Sequence, residues 1–520
     1  MSARAPALAP AARWFVPALL GIVAFALALE ITDPPGPGLS PDGLSYLGSA
    51  ESLVRRGELR VPSAPWRDTD STVALTRFPP GYSMAIAVAT GAGLEPVQSA
   101  RLVDALAAFV TVFVLVLLVS DATTTLVGLL FGAAMLATPA LNLVHVFVLS
   151  EPLFLALTAL TLSAMVRRPE RGLLAGLTAA LAVLVRYAGV SLVVAAALWR
   201  LRHPGPIRDR VRGALAALAP GLAVQTLWVL RTRRVAPTES IRDFAVYGDF
   251  RPTLSQGIGT VASWLVPGPD QFVPSGPHRT LVAALVCVGV LVVALGGART
   301  IARGLGTARS DDASFESSTR LAGRLLAAGS LVVLCYAAVV VASRLLADPE
   351  IPFDQRILSP VLLIGTVLVF VVAYHWWRDT RAVLGKIALL VAALAWWSGS
   401  ALTAYQQARR VRSEGAGYGR DIWRRSDLVE WARTEGRRYP LYSNRSPALY
   451  YLVHRTVRNV PLLKEGARME EFADSVRARG GRVVMFNEPS RWHVTVDSLR
   501  RVRGLRPVFV GTSGVVFGPS

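Results

Sequence analysis

Four charged side chains stand out for where they fall in an otherwise apolar chain: Asp42, Glu151, Arg186 and Arg356. Asp42 lies in Ser40-Pro41-Asp42-Gly43-Leu44-Ser45-Tyr46, just after the first apolar run. Ser40 suits a helix N-cap and Pro41 the first helical turn. Asp42 then falls among the unpaired amides at the positive end of the helix dipole, a setting that suits a negative charge. Leu44, Leu47, Leu53 and Val54 fall on one face, and Gly57 is a stop signal. The stretch predicts a short amphipathic helix at a membrane surface with an acid at its tip. A carboxylate so placed can take a proton from a substrate hydroxyl, which is general-base chemistry. An ordinary capping aspartate would carry the same pattern. Tyr46, Arg67, Asp68, Asp70 and Arg77 are polar neighbours in the same loop.

Glu151 sits in Val148-Leu149-Ser150-Glu151-Pro152-Leu153-Phe154, at the mouth of an apolar run. An acid at membrane depth is costly unless it is paired or faces a wet cavity, although a helix cap would also account for it. His145, six residues earlier, either shares that cavity or sits in the interface. Arg186, in Leu184-Val185-Arg186-Tyr187-Ala188-Gly189, separates two apolar runs and needs a partner or water, unless it snorkels. Arg356, in Phe353-Asp354-Gln355-Arg356-Ile357, stands where a loop enters a helix. Its partner is either a lipid phosphate or Asp354. Guanidinium gives charged, forked hydrogen bonds to phosphate oxygens, so phosphate is the natural ligand for both arginines.

The elements that must position these groups are membrane helices. The 520-residue chain is 52% hydrophobic and 17% charged, with mean hydropathy +0.44, too apolar for a soluble enzyme of this length. About eleven apolar runs approach the roughly 20 residues needed to cross a bilayer. They lie near 14–31, 100–119, 123–140, 152–166, 173–186, 190–199, 213–230, 280–297, 321–346, 357–374 and 383–404. The first, preceded by Arg4 and Arg13, lacks a convincing cleavage site and is taken as a retained helix. The region 173–199 allows either two spans or one kinked span with a re-entrant piece. Phe78-Pro79-Pro80-Gly81-Tyr82 opens a second interfacial helix, and 267–277 is a Pro/Gly-rich loop.

The net charge of +20 comes from arginines spread among loops and the C-terminal region, with no aromatic-studded basic module, so nucleic acid is not an expected partner. With the N-terminus in the cytoplasm, the basic segments 167–168, 200–212, 299–324 and 378–386 all lie inside. Arg231-Thr232-Arg233-Arg234 breaks that rule. The loop with Asp42, Glu151, Arg356 and everything after 404 are then outside. Residues 1–404 are expected to form the transmembrane domain, with a first external loop over 32–80. Residues 405–520 alternate helix and strand signals and predict a small extracytoplasmic α/β domain. Helices are expected at 427–435, 448–453 and 470–479, and strands at 440–444 and 482–486. Cys287 and Cys335 both lie in apolar runs, which argues against a disulfide framework. No P-loop, dinucleotide fingerprint or Cys/His metal pattern is present.

The order of these parts resembles the GT-C class of polytopic membrane glycosyltransferases, especially the family of protein O-mannosyltransferases and the lipid A aminoarabinose transferase. The resemblance runs over nearly the whole chain. It is carried by Asp42-x-x-x-Tyr46-x-x-x-Ala50-x-x-Leu53-x-x-x-Gly57, then Phe78-Pro79-Pro80-Gly81-Tyr82 and Ser150-Glu151-Pro152-Leu153-Phe154. Arg186-Tyr187-Ala188-Gly189, Asp354-Gln355-Arg356-x-x-x-Pro360 and Tyr442-Ser443-Asn444 with Leu449-Tyr450-Tyr451 follow in order. It implies a mainly α GT-C fold and a sugar donor linked to a polyprenyl phosphate. It also implies Asp42 as the essential first-loop acid, Glu151 as a second acid near the cavity, and Arg186 and Arg356 as ligands of the donor phosphate. Tyr46, Arg77, Tyr82, His145 and Tyr187 would line the cavity. That family's first-loop acid often has a second acid beside it. Here Gly43 follows Asp42, which leaves a divalent metal open, and no metal ligand is assigned. The expected protein is a multi-pass enzyme of the cytoplasmic membrane, bound by membrane lipids, that transfers a hexose or pentose with inversion to a lipid, protein or cell-envelope glycan. A transporter or lipid-linked glycan flippase, a non-catalytic scaffold and a glycan ligase or polymerase are the alternatives.

Overall fold

The computed structural model describes residues 12–62, 64–68, 70–236, 246–268, 277–306, 313–348, 350–463, 468–488 and 493–520. Arg4 and most of the loop expected over 267–277 lie outside the described residues. In chain order come α1 (Ala12–Ile31), α2 (Pro41–Arg56), the short strands β1 (Arg60–Val61) and β2 (Val73–Ala74), α3 (Gly81–Gly91), α4 (Pro96–Ala122), α5 (Thr125–Ala137) and α6 (Pro139–Val146). Then follow α7 (Glu151–Arg167), α8 (Gly172–Val185), α9 (Val190–Arg202), α10 (Ile207–Val235), α11 (Arg251–Leu265), α12 (Pro277–Gly306), α13 (Ala313–Leu346), α14 (Ser359–Asp379) and α15 (Val383–Glu414).

Ten of the eleven spans expected from the sequence each fall on one of these helices, and the run 123–140 is divided between α5 and α6. Seven of them, α1, α4, α10 and α12 to α15, are long and apolar enough to cross a membrane. An eighth is reached if α5 and α6, bent by 57°, are one broken span. The chain is a multi-pass membrane protein. The bend has a local cause: Thr138 is extended (φ −78°, ψ 114°) and Pro139 opens α6, so the helical hydrogen-bond ladder cannot run through. The helices α7, α8 and α9, at 17, 14 and 13 residues, fall short of the roughly 20 of a full span. The region 173–199 forms two helices: α8 ends at an extended Arg186, a single 3-10 turn covers Tyr187–Gly189, and α9 packs back against α8. Gly189 permits this, since a Cβ there would lie 2.4 Å from the Val183 amide nitrogen.

By contacts the chain divides into two compact units. The larger comprises Met1–Ile31, Arg77–Tyr82 and Leu102–Arg410. In it α8 packs on α7, α9 and α10, and α13 and α14 pack on each other and on α7. At one end Asp121 of α4 is flanked by Arg13 (Nε to Oδ1, 2.7 Å) and Arg167, so one carboxylate ties α1, α4 and α7 together.

The second unit comprises Thr32–Thr76, Ser83–Arg101 and Val411–Ser520. Its C-terminal part adds α16 (Asp421–Arg424), α17 (Asp427–Arg433), β3 (Leu441–Ser443), α18 (Ser446–Val453), β4 (Val457–Asn459), α19 (Met469–Ala478), β5 (Arg482–Phe486), α20 (Val496–Arg500), β6 (Leu505–Val510) and β7 (Gly514–Pro519). The sheet order is β4-β3-β5-β7-β6, with β4, β3 and β5 parallel and the β5–β7 and β7–β6 pairs antiparallel. Tyr442, Phe472, Met485, Leu499 and Phe517 form its core, and Trp66 of the first loop is buried among them. The first loop is knitted in elsewhere too. Leu39 bridges Gly417, the Asn459 amide donates to the Ala64 carbonyl (2.9 Å), and the Tyr450 hydroxyl donates to Glu51 (2.9 Å).

Candidate functional site

Helix ends build the site. The α7 helix starts at Ser150-Glu151-Pro152, which puts the Glu151 carboxylate in its first turn, where the helix dipole favours an anion. Arg186 is the C-cap of α8, where the dipole favours a cation. Arg356 lies three residues before α14, an end that repels a cation, so it depends on a nearby anion. Its segment is pinned from two sides. From α11, Thr260 Oγ1 donates to the Phe353 carbonyl (2.7 Å), and Gln256 Oε1 accepts from the Phe353 amide (3.0 Å). From α13, the buried Tyr336 hydroxyl donates to the Ile357 carbonyl (2.7 Å).

These three ends meet. Glu151 is 2% exposed, and its Oε1 lies 2.7 Å from Arg186 Nη1 and 3.0 Å from Arg356 Nε. The contacts are ion pairs by distance rather than aligned hydrogen bonds at that oxygen. Arg186 Nη1 also donates to the buried Ser150 Oγ (3.0 Å). Asp354 spends one oxygen on the Ile357 amide (2.9 Å), which shapes the turn that presents Arg356. Two cations from separate loops thus share one buried anion, an arrangement suited to admitting a second, ligand-borne anion.

Among the other expected residues, the Tyr187 hydroxyl accepts from Trp228 Nε1 of α10 (3.0 Å). His145 Nδ1 donates to the Leu141 carbonyl (2.8 Å), and the ring lines an apolar pocket with Ala24, Val112, Leu155 and Leu363. Arg77 is exposed, its guanidinium 5.8 Å from the Phe78 ring centroid. Tyr82 is fully buried, and its hydroxyl lies 3.0 Å from both oxygens of Asp104 on α4. Gly81 explains the Phe78-Pro79-Pro80-Gly81-Tyr82 segment: a Cβ there would stand 2.7 Å from the Leu184 carbonyl oxygen, two residues from Arg186. Asp104, 4% exposed, was not among the expected residues. Its signal was an acid inside the apolar run Leu102-Val103-Asp104-Ala105-Leu106.

Asp42 and Tyr46 belong to the second unit. The α2 helix is built as its sequence dictates. Ser40 is the N-cap and its Oγ accepts from the Gly43 amide (3.1 Å), Pro41 and Asp42 fill the first turn, and Gly57 closes the helix at φ 70°. Leu44, Tyr46, Leu47 and Ala50 form the buried face. Val54, expected on that face, is instead 43% exposed, because the buried stripe ends before the last turn. Among the described residues no three His, Cys, Asp or Glu side chains converge as metal ligands.

No protein-family model and no curated protein matches the chain. Solved structures do. ArnT from Cupriavidus metallidurans bound to undecaprenyl phosphate is 16% identical, with TM-score 0.50 and 98% of both chains covered. The arabinofuranosyltransferase AftD from Mycobacteria is 16% identical, with TM-score 0.56 over 97% of this chain but 40% of its own. The Archaeoglobus fulgidus oligosaccharyltransferase is 12% identical, with TM-score 0.50 over 89% of this chain and 69% of its own. At these identities the likeness is one of fold: the chain has the GT-C fold that these three glycosyltransferases share.

Proposed function

We propose that the protein is a glycosyltransferase that moves a sugar from a polyprenyl-phosphate donor to a hydroxyl of an extracytoplasmic lipid, protein or cell-envelope glycan. One observation carries the reading. In a membrane unit of GT-C fold, Arg186 and Arg356 converge on the buried Glu151 from separate helix ends. A donor phosphate would join these cations as a second anion, with its isoprenoid chain among the helices. Glu151 then serves by fixing the two guanidiniums. Asp42 accepts the proton of the acceptor hydroxyl as its oxygen bonds to the anomeric carbon. The bond from that carbon to the phosphate oxygen breaks, its electron pair leaves with the polyprenyl phosphate, and the sugar carbon inverts. Arg186 and Arg356 stabilise the charge that grows on the leaving phosphate, a largely electrostatic contribution. The parallel with ArnT, solved with undecaprenyl phosphate, supports the donor class.

The test is transfer in membranes supplied with polyprenyl-phosphate sugars, read by mass spectrometry of the glycolipids and glycoproteins formed. Asp42→Asn is expected to abolish transfer while leaving expression and insertion intact. Full activity in that variant removes Asp42 from the chemistry.

A further inference from the structure

One end of the sheet in the second unit gathers cations. β4, β3 and β5 run parallel and in register, with Leu441 beside Val457 on one side and Arg482 on the other, so their N-termini share that end. β7 finishes there and β6 starts there, with Arg506 opposite Gly518. Arg433 comes from the end of α17, and Arg437 and Arg438 from the 3-10 turn that leads into β3. Arg455 comes from just before β4, Arg482 from the start of β5 and Arg506 from the start of β6. Five strands about 4.8 Å apart make this end about 20 Å wide. Every connection here, 434–440, 454–456, 479–481 and 501–504, is described. Among the described residues, none of these arginines has an acid within ion-pair distance, whereas Arg477 beside them is paired with Asp474 (3.0 Å). Glu435, in the same turn as Arg437 and Arg438, accepts from Trp431 Nε1 (3.1 Å). Arg433 donates through Nη2 to the Leu452 carbonyl (2.8 Å), Arg455 to the Tyr439 carbonyl (3.1 Å) and Arg482 through Nη1 to the Gly481 carbonyl (2.9 Å). Carbonyls fix these guanidiniums without cancelling their charge. Arg437, Arg438 and Arg506 are exposed.

Like charges this close repel one another, and a bound anion relieves the repulsion. The surroundings select among anions. No exposed large apolar side chain belongs to these connections, so the surface lacks the anchors of a protein interface. Its aromatic ring, Tyr439, is covered by Arg482, 3.9 Å from the centroid, which leaves no platform on which a nucleobase could stack. A bilayer fits no better. The chain enters the unit at Val411, and Tyr418 packs on Trp423 and Trp423 on Phe486, at the opposite end of β5. What remains is a hydrophilic chain that carries anionic groups at intervals. Guanidinium gives forked hydrogen bonds to phosphate and carboxylate alike. We propose that this arginine-lined end of the sheet is a docking surface for an anionic glycan chain. The binding rests on the α/β part alone, and only the chain's role as acceptor rests on the transferase reading.

Biolayer interferometry on the full protein in nanodiscs of uncharged lipid tests it. The probes are polygalacturonate and poly(glycerol phosphate), with dextran as the uncharged control. At least one polyanion is expected to bind, and dextran is not. With about three to four guanidiniums engaged, affinity is expected to fall about 20- to 50-fold between about 50 and 200 mM salt. Arg437→Gln with Arg438→Gln is expected to weaken binding about tenfold and to flatten that salt dependence. Arg506→Gln, on a different strand, is expected to weaken it about threefold. Arg420→Gln with Arg425→Gln removes the same charge from the other end of the unit, where each arginine has an acid partner, and is expected to change binding less than about twofold. The tighter probe identifies the anionic group as carboxylate or phosphodiester. No binding of either polymer, equal losses in the two double variants, or tighter binding of oligothymidylate or of phosphatidylglycerol vesicles overturns the proposal. Asp42→Asn is expected to leave this binding unchanged, so docking and transfer fail separately.

Discussion

Glu151 has two arginines to neutralise and almost no water to help it. The Glu151→Gln variant keeps the shape and removes the charge, leaving two guanidiniums facing each other across a neutral amide. A cost on the order of 3 kcal/mol is expected, since a broken buried pair strands its partners. Screening at Arg356, whose side chain is 30% exposed, reduces the share it feels. The measurement is thermal unfolding in nanodiscs, extended to a cycle with Arg356→Gln. If the three groups act as one cluster, the double variant loses less than the sum of the single losses, by about 1 kcal/mol. Strictly additive losses would separate Arg356 from Glu151. Asp104 poses the same problem with a different answer. It is buried against the Tyr82 hydroxyl, a neutral donor. That pairing was out of reach of the sequence, because the tyrosine opens α3 just after Pro79-Pro80 and the acid lies in the next long helix.

At the scale of elements, helix ends were legible and their meetings were not. Ser40, Pro41 and Gly57 mark the two ends of α2, because caps are local chemistry. Arg186 marked a break between apolar runs for the same reason. That Glu151, Arg186 and Arg356 share one oxygen depends on how α7, α8 and α14 pack, which no periodicity encodes. In the α/β part, β3 was legible as a strand running into a turn and β5 as a buried apolar strand, whereas β6 and β7 were not. Pro507, Gly514, Gly518 and Pro519 read against strand, yet β7 lies between β5 and β6. The turn between them is held from α17. Asp427 accepts from Thr512 Oγ1 (2.9 Å) and from the Ser513 amide (3.2 Å). Partial burial pushes the Asp427 carboxyl up, but the hydrogen bonds from Ser513 and Thr512 outweigh it and hold it below its ordinary 3.8. The stabilisation is therefore fully present above pH 3.8 and lost as pH falls through the lower folded value. His493 acts earlier. Burial, helped by Arg445, lowers its imidazole from 6.5, so the unfolded chain takes up the proton first and stability declines as pH falls below 6.5. Hydrogen exchange of the full chain is expected to show two stages on acidification: loosening around His493 and its bridge to Leu462 below pH 6.5, then loosening of the β6–β7 turn below pH 3.8. Asp427→Asn should remove the later stage and leave the earlier one; an unchanged profile would take Asp427 out of the account.

For the whole molecule, the second unit constrains the first through topology. Trp66 is in the core of the sheet with Phe472, and Leu39 bridges Gly417, so the first loop and the C-terminal residues fold together on one side of the membrane. The chain must then cross an even number of times between residues 32 and 411. The six long helices α4, α10 and α12 to α15 give an even number, and the bent α5–α6 pair, counted as one broken span, makes a seventh. On that count an odd number of the shorter helices α7, α8, α9 and α11 crosses as well. The two folds of chain at 168–171 and 186–189 favour all three, short as they are. Arginine distribution supplies an expected direction. With all three of α7 to α9 crossing, Arg167-Arg168, 200–212 and 378–386 are expected on the side opposite the first loop, and their positive charge predicts that side to be cytoplasmic. The exception, 231–234, is softened by Arg231, whose guanidinium sits 4.8 Å from the Trp228 ring centroid and is held by protein rather than headgroups. Single cysteines test the assignment once the free Cys287 and Cys335 are replaced by alanine. In intact cells, a membrane-impermeant maleimide is expected to label Asp68→Cys at once and Arg208→Cys only after permeabilisation. The reverse pattern would put Asp42 in the cytoplasm, away from any extracytoplasmic acceptor. Labelling of both from one side would make the number of crossings between them even and overturn the count of α4, the bent pair and each of α7 to α9 as five crossings.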